Sequence, residues 1–324
     1  MRRALTVLLP LLGLTLFVVI VAGTGVDRIV DVFRAADRRG LAATPLLILL
    51  ILVMRGLRWQ VILRGMGVEM PLMRATVVWC IGFFASSVTP AKSGDALRAV
   101  YVRQDSGRSY GEAFLSVFVD RLWDLIFILV AGIVTVPLFS RRYTELPSAW
   151  IVVGSALALG AFIYVVTQRE LVRRLLRPLF GMLVPARFRE AFALNFHSFY
   201  DALRAYARGA KRHLVVGALT LVCWGLIFLL AWVIAWSMHI RASFGFIALI
   251  MPIVTLAELL PVSISGLGTR EATVVYFFSA IGVAQAPAVG FSIAYLLIGT
   301  YLTALIGFAL WLRHPVKLGS APDD

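Results

Sequence analysis

Charge is scarce in this sequence, and so are the residues that usually carry catalysis or hold metal. Of 324 residues only 15% are charged while 60% are hydrophobic, and the mean hydropathy of +0.90 lies well outside the range of soluble domains. Cysteine occurs twice, as Cys80 and Cys223, each inside an apolar stretch and neither at Cys-x-x-Cys spacing. That excludes a disulfide scaffold or thiolate metal site and leaves two small buried hydrophobes. The four histidines, at 197, 213, 239 and 314, have no metal-ligand spacing, so neither metal nor cofactor is expected. An aspartate-rich metal motif, a Lys-x6-Arg-Pro signature and a nucleophile beside a base are all missing. No catalytic residue is therefore assigned, and an enzyme is not expected. Long polar stretches are missing too, which leaves no room for a separate soluble domain.

What the chain does have is apolar runs. A hydrocarbon core of ~30 Å needs roughly 20 apolar residues in helix, enough here for about six to eight crossings. Runs fall at 4–24, 41–63, 75–88, 114–139, 149–167, 213–237, 243–260, 272–283 and 288–312. The first follows Met1-Arg2-Arg3 and is longer than a signal-peptide core, so a retained helix is expected. The net charge of +14 comes from 28 Arg and 3 Lys against 17 acids. In a membrane protein such an excess marks cytoplasmic loops and contact with anionic lipid heads, whereas nucleic acid would need a soluble basic domain.

The basic residues also set the topology. The stretch 168–212 carries ten basic and three acidic residues and reads as cytoplasmic, with an amphipathic surface helix over 188–206. Arg2, Arg3, Arg313 and Lys317 place both termini on that side, and the balanced loop 25–40 fits the outside. The Arg141–Arg142 pair dissents and is outweighed by the larger cluster. Consistent alternation then requires the region around 75–104 to start and finish inside, and 243–283 to start and finish outside. The expected fold is an all-α polytopic membrane protein: about six full transmembrane helices plus two re-entrant hairpins entering from opposite faces. The whole chain, 1–324, is one transmembrane domain in the plasma (inner) membrane.

Both hairpin centres break a helix with charge at membrane depth. They read "SSVTPAKSGDALRA" (86–99) and "LPVSISGLGTREA" (260–272), each with proline, small hydroxyl residues and glycine, then an acid and an arginine. This common order suggests an inverted repeat, although the spacing differs. Irregular backbone at that depth is tolerated only where protein or a water-filled cavity satisfies it, and broken helices in corresponding halves point to a transporter's binding site. In the first centre, Thr89-Pro90 matches an N-cap followed by proline, and Asp95 and Arg98 at i,i+3 can pair, with Lys92 and Arg103 adding positive charge. In the second, Ser263 lies in the break, Gly266 and Gly268 allow close backbone approach, and a helix starts near Thr269. Arg270 and Glu271 then sit in its first turn. Asp120, Arg121 and Asp124 interrupt an otherwise apolar helix, where ionisable groups cost roughly 2.5–3.5 kcal/mol each and argue for an interior polar network. Glu258 is a further membrane carboxylate, a candidate partner for Arg270 or proton carrier.

Taken together, these stretches resemble the transmembrane domain of lysylphosphatidylglycerol synthases and their stand-alone flippase-like relatives, over essentially the whole chain. The family's T-P-x-x-x-G-E-x-x-R element is matched by Thr89, Pro90, Gly94 and Arg98, with Asp95 in place of the glutamate. Its D/E-R-x-x-D element falls on Asp120, Arg121 and Asp124. Its L-P-x-S-x-G-G-L-G-x-R-E-A element falls on Leu260, Pro261, Ser263, Gly266, Leu267, Gly268, Arg270, Glu271 and Ala272, with Ser265 where a glycine often stands. The resemblance implies a polytopic bundle with two re-entrant segments that moves lipids between leaflets. Relatives are associated with aminoacylated phospholipids, hopanoids or polyprenyl-linked sugars. The full synthases append an aminoacylating domain, and with the sequence stopping at Asp324 that reaction is not expected here.

Transport of a polar-headed, anionic or aminoacyl- or glycosyl-bearing lipid is the leading expectation, with membrane lipids as the partner. The competing classes are an intramembrane lipid-modifying enzyme and an accessory subunit of a lipid or glycan pathway. A homo-oligomer or a pathway protein is the further candidate partner.

Overall fold

The computed structural model describes residues 14–143, 209–259 and 266–315, together with residues 153, 157, 160, 164, 199, 202, 203 and 206. All regular structure among them is helical. The elements are α1 (Leu14–Thr24), α2 (Val26–Ala35), α3 (Arg38–Gly65), α4 (Leu72–Val88), a 3₁₀ segment (Pro90–Ala96), α5 (Leu97–Ser106) and α6 (Tyr110–Tyr143). After them come α7 (Ala210–Ser237), α8 (Phe244–Leu259) and α9 (Thr269–Ser279), and finally α10 (Gln285–Arg313), with a π-helical stretch over Leu296–Leu302.

Four of these, α3, α6, α7 and α10, are long and apolar enough to cross a membrane, and α1, α4 and α8 are shorter apolar helices. They coincide with the expected runs 41–63, 114–139, 213–237 and 288–312. The expected run 149–167, the basic segment 168–212 with its amphipathic stretch, and the first half of 4–24 lie outside the described residues, apart from single positions.

Residues 25–40 depart from expectation. Instead of a loop they contain α2, which starts after Gly25 (φ 89°) and carries Asp27 in its first turn and Arg34 in its last, both favourable to the helix dipole. Its Ile29 is buried, and Val32 meets α10 so closely that a Cβ on Gly290 would lie 3.0 Å from it. One apolar stripe on a charged ten-residue segment suffices for a packed helix, and it is invisible to a reading based on charge balance.

The element order repeats. Helix starts at Arg38, Leu72 and Leu97 recur at Ala210, Phe244 and Thr269, an offset of 172 residues each time, and a long helix follows both sets, from Tyr110 and from Gln285. Each set is therefore long helix, short apolar helix, break, short helix, long helix. Under the same offset Gly94 falls on Gly266 and Arg98 on Arg270. The glycine-to-arginine spacing is thus common to the two breaks, although the prolines differ by one position.

The chain forms two compact units. One holds residues 52–121, 184–219 and 301–324. In it α4 packs along the last turns of α10, where a Cβ on Gly307 would lie 2.2 Å from the Cys80 carbonyl oxygen. Phe84 meets Phe308 and Trp311 there, at centroid distances of 5.1 and 6.0 Å. Arg74 at the start of α4 forms a two-pronged ion pair with Asp105 at the end of α5 (2.8 and 3.0 Å), which closes the base of the α4–α5 hairpin. The other unit holds residues 1–51, 122–183 and 220–300. Its core includes Phe139, Phe246, Phe277, Phe278 and Phe291, with Phe139 edge-on to Phe277 at 4.6 Å.

Candidate functional site

In the unit built around α4 and α5, the helix break is made by Thr89. Its backbone is extended (φ −112°), and its hydroxyl accepts the Gly94 N–H at 2.7 Å while donating to the Ala85 carbonyl at 2.8 Å. Pro90 at the first position starts a 3₁₀ turn rather than an α-helix, and the α-helix resumes only at Leu97. This short turn places Asp95 one turn ahead of Arg98. The expected pair forms, with Arg98 Nε 3.0 Å from Asp95 Oδ1 and Nη2 donating to Oδ2 at 3.1 Å. Lys92 lies in the same 3₁₀ turn.

Arg98 also donates from Nη1 to Asp120 Oδ2 at 2.9 Å. Asp120 Oδ1 takes Arg58 Nε at 2.9 Å and Arg58 Nη2 at 2.7 Å, and Trp79 Nε1 donates to Oδ2 at 3.3 Å. Arg121 donates from Nε to Asp95. The result is one network in which Arg58, Arg98 and Arg121 meet Asp95 and Asp120. The Arg58, Arg98 and Asp120 side chains are 0% exposed, whereas Arg121 is 36% exposed. Such burial is tolerable only with this density of charge-assisted hydrogen bonds.

Two neighbours complete the enclosure. Arg98 lies over the Trp59 ring at 4.9 Å from its centroid, and the fully buried Trp59 indole N–H has no acceptor among the described residues. Gly82 lets the Arg98 stem pass, because a Cβ there would come within 2.4 Å of Cγ and 3.1 Å of Asp95 Oδ1. Arg58, Trp59 and Trp79 were not singled out from sequence. The Asp120 partner of Arg58 is 62 residues away, a distance no local spacing rule reaches.

The other unit contains the second cluster, and also Asp124, whose Oδ1 accepts the Trp224 indole N–H at 3.1 Å. Gly266 and Gly268 have φ of 79° and 83°, a region open to glycine and costly for other residues. They turn the chain so that α9 starts at Thr269, as expected. Glu271, at the third helical position, accepts the Gly268 N–H at 2.6 Å with Oε2, the carboxylate half of a capping box. Its Oε1 accepts Arg270 Nη2 at 2.8 Å, Arg270 Nε at 3.2 Å and the Ser292 hydroxyl at 2.9 Å. Glu271 therefore both caps its helix and neutralises Arg270. Arg270 Nε further donates to Ser292 at 3.0 Å, and Nη1 lies 3.5 Å from Glu258 Oε1. Ser263 falls outside the described residues. Ser292, from α10, is the member of this cluster that sequence reasoning missed. Under the 172-residue offset it occupies the place of Asp120, so each long helix meets its arginine at the same position.

Groups of His, Cys, Asp and Glu able to hold a metal ion do not occur among the described residues. Chemically, the first cluster gathers fixed guanidinium groups at a helix break, and the second is a glycine turn pinned by carboxylates.

Relatives that match along nearly the whole chain are membrane proteins by name. The UPF0104 membrane protein PH1989 of Pyrococcus horikoshii is 22% identical over 330 residues, covering 97% of this chain and 98% of its own. The UPF0104 membrane protein MJ1595 of Methanocaldococcus jannaschii is 23% identical over 317 residues, 94% of each chain. A shorter match, 32% identical over 113 residues, joins 35% of this chain to 18% of the glycosyltransferase AglD of Haloferax volcanii. Residues 4–307 match the family described as lysylphosphatidylglycerol synthase TM region, so this chain is a membrane protein belonging to that family.

Proposed function

We propose that this chain moves a lipid with an anionic head group between the leaflets of the plasma membrane, by transport rather than catalysis. The observation that carries this reading is the gathering of three guanidinium groups, those of Arg58, Arg98 and Arg121, at a helix break between long apolar helices. A phosphate-bearing head group supplies the oxygen acceptors that such a cluster favours, and the buried Trp59 N–H offers one donor more. The tails would stay in the bilayer while the head group shelters between the α4–α5 hairpin and its neighbours in the same unit. The two breaks recur at a fixed offset, as in transporters whose binding sites lie at discontinuous helices in corresponding halves, and the charge pattern has those halves cross in opposite senses. Both hairpins are then re-entrant and both termini cytoplasmic.

The test is transfer of a fluorescently labelled phosphatidylglycerol across vesicles containing the purified chain, followed by quenching of the outer leaflet. Arg121→Gln removes the most exposed guanidinium of the cluster, and Arg98→Lys keeps charge but loses the forked geometry. Both variants are expected to slow transfer while melting close to the parent. Parental rates in both would overturn the site. A second reading, favoured by the partial match to AglD, is an accessory subunit of a lipid or glycan pathway. It requires that the purified chain transfer no lipid until a pathway enzyme is added.

A further inference from the structure

We propose that a pocket between the end of α3 and the start of α4 binds the head group of an ethanolamine-type phospholipid, with Arg64 on its phosphate and Glu69 on its ammonium. This site is separate from the Arg98 cluster and does not rest on the transfer reading above.

The pocket has a volume of about 410 Å³ and is lined, among the described residues, by Arg64, Glu69, Met70 and Pro71. That is the size of a small-ligand site. The chain that forms it is held in place. α3 ends in a turn where Gly67 has φ 72°, its N–H donates to the Arg64 carbonyl at 3.1 Å, and the Val68 N–H donates to the Leu63 carbonyl at 3.0 Å. Three side chains then pin the carbonyls around the turn: Gln60 on Met70 at 2.7 Å, Arg212 on Gly65 at 2.7 Å and Arg108 on Gly67 at 3.3 Å. Val68 and Met70 are buried, while Glu69 between them is exposed, as is Arg64. Other basic residues close to the turn are already engaged, Arg108 with Glu112, Arg74 with Asp105 and Arg212 over the Tyr206 ring. The Arg64 and Glu69 side chains have no ion pair or hydrogen bond among the described residues, not even with each other.

The second repeat shows that the turn does not need these two charges. Under the 172-residue offset Gly67 falls on His239, which also has positive φ (59°). The same bonds recur there: His239 N–H to the Trp236 carbonyl at 3.0 Å, Ile240 N–H to Ala235 at 3.0 Å, and the Trp232 indole, in the place of Gln60, to Ala242 at 3.2 Å. Arg64, however, falls on Trp236 and Glu69 on Arg241. One turn is thus built twice, and the Arg–Glu combination belongs to the pocket rather than to the turn. α3 is long and apolar enough to cross a membrane, and Arg64 stands in its last turn, the level at which such a helix meets lipid head groups. A guanidinium and a carboxylate that leave each other unpaired suit a ligand carrying both charges, phosphate for the first and ammonium for the second. The glycerol of phosphatidylglycerol offers Glu69 no cation. Met73, two residues beyond Pro71 and 75% exposed, gives the acyl chains apolar surface, which favours the lipid over its free head group.

Native mass spectrometry of the full chain in mild detergent tests this, with phosphatidylethanolamine, phosphatidylglycerol or free phosphoethanolamine added. The parent is expected to retain phosphatidylethanolamine in preference to phosphatidylglycerol, and free phosphoethanolamine is expected not to displace it. E69Q is expected to lower that preference by about two- to fivefold, the scale of one ion pair near a surface. Arg64→Gln is expected to weaken both lipids. Both side chains are exposed and unpaired, so the variants should melt with the parent, and either alone suffices for the test. Asp31→Asn removes one exposed acid on α2 and is expected to keep the parental preference. Equal retention of the two lipids by the parent, parental behaviour in E69Q or Arg64→Gln, or the same loss in Asp31→Asn overturns the proposal. Displacement of the lipid by free phosphoethanolamine at equal concentration would overturn the assignment to a lipid.

Discussion

Asp120 is the residue whose loss should do most damage, and the size of that damage follows from its contacts. Its carboxylate is 0% exposed and shared between Arg58 and Arg98, both also 0% exposed, with a further bond from Trp79. Asp120→Asn leaves two buried guanidinium groups without this counter-charge. Breaking a buried pair from one side costs about 3–5 kcal/mol. At roughly 2 °C per kcal/mol for a chain of this size, that lowers the melting midpoint by on the order of 6–10 °C. The two free cysteines provide the assay, since Cys80 and Cys223 are both buried and a thiol-reactive fluorophore reports their release on heating. The double variant Arg58→Met/Asp120→Asn removes one charge of each sign and is expected to fall short of the summed single effects by about 1–3 kcal/mol. An unchanged midpoint in Asp120→Asn, or strict additivity in the double variant, would refute the network as the thing that holds α3 to α6.

Gly82→Ala forces a methyl to within 2.4 Å of the Arg98 stem, so it should cost about 1–3 kcal/mol by overpacking and slow transfer of labelled phosphatidylglycerol more than it lowers the melting midpoint. Gly268→Ala places a side chain at φ 83° beside the α9 cap and should lower stability by about 1–2 kcal/mol, read as a shift in the thiol-release midpoint; no shift would mean that the turn relaxes freely.

The sequence made the long helices legible because an apolar run of some 20 residues has few alternatives, and α3, α6, α7 and α10 fall where the runs lie. The same rule missed α2, whose ten residues carry charges throughout and whose apolar face is one helical stripe. Within the site, Asp95–Arg98 and Glu258–Arg270 were readable, the first from i,i+3 spacing and the second from two charges in one apolar region. Arg58 with Asp120, Trp79 with Asp120 and Ser292 with Arg270 were not, because their separations of 62, 41 and 22 residues are fixed by packing rather than by local period. The repeat was half visible. The order of residue types showed, but the 172-residue offset emerges only once the helix starts are known, since Gly94 with Gly266 and Arg98 with Arg270 are identities set among differing neighbours.

Stability gives no reason to keep the Arg58, Asp95, Arg98, Asp120 and Arg121 cluster. The helices that carry it already bury Ile62, Leu63, Val102 and Leu115 completely. Ionisable groups within membrane helices cost roughly 2.5–3.5 kcal/mol each, and a buried ion network can often be exchanged for well-packed apolar side chains at no loss, or with a gain of about 1–4 kcal/mol. A brace between α3, α5 and α6 would therefore be at least as good if built from leucine and methionine. What apolar packing cannot provide is a fixed set of guanidinium donors beside a broken helix. Three guanidinium groups gathered at one break, those of Arg58, Arg98 and Arg121, are a feature that a brace alone does not need. They are also the feature that an anionic head group would engage.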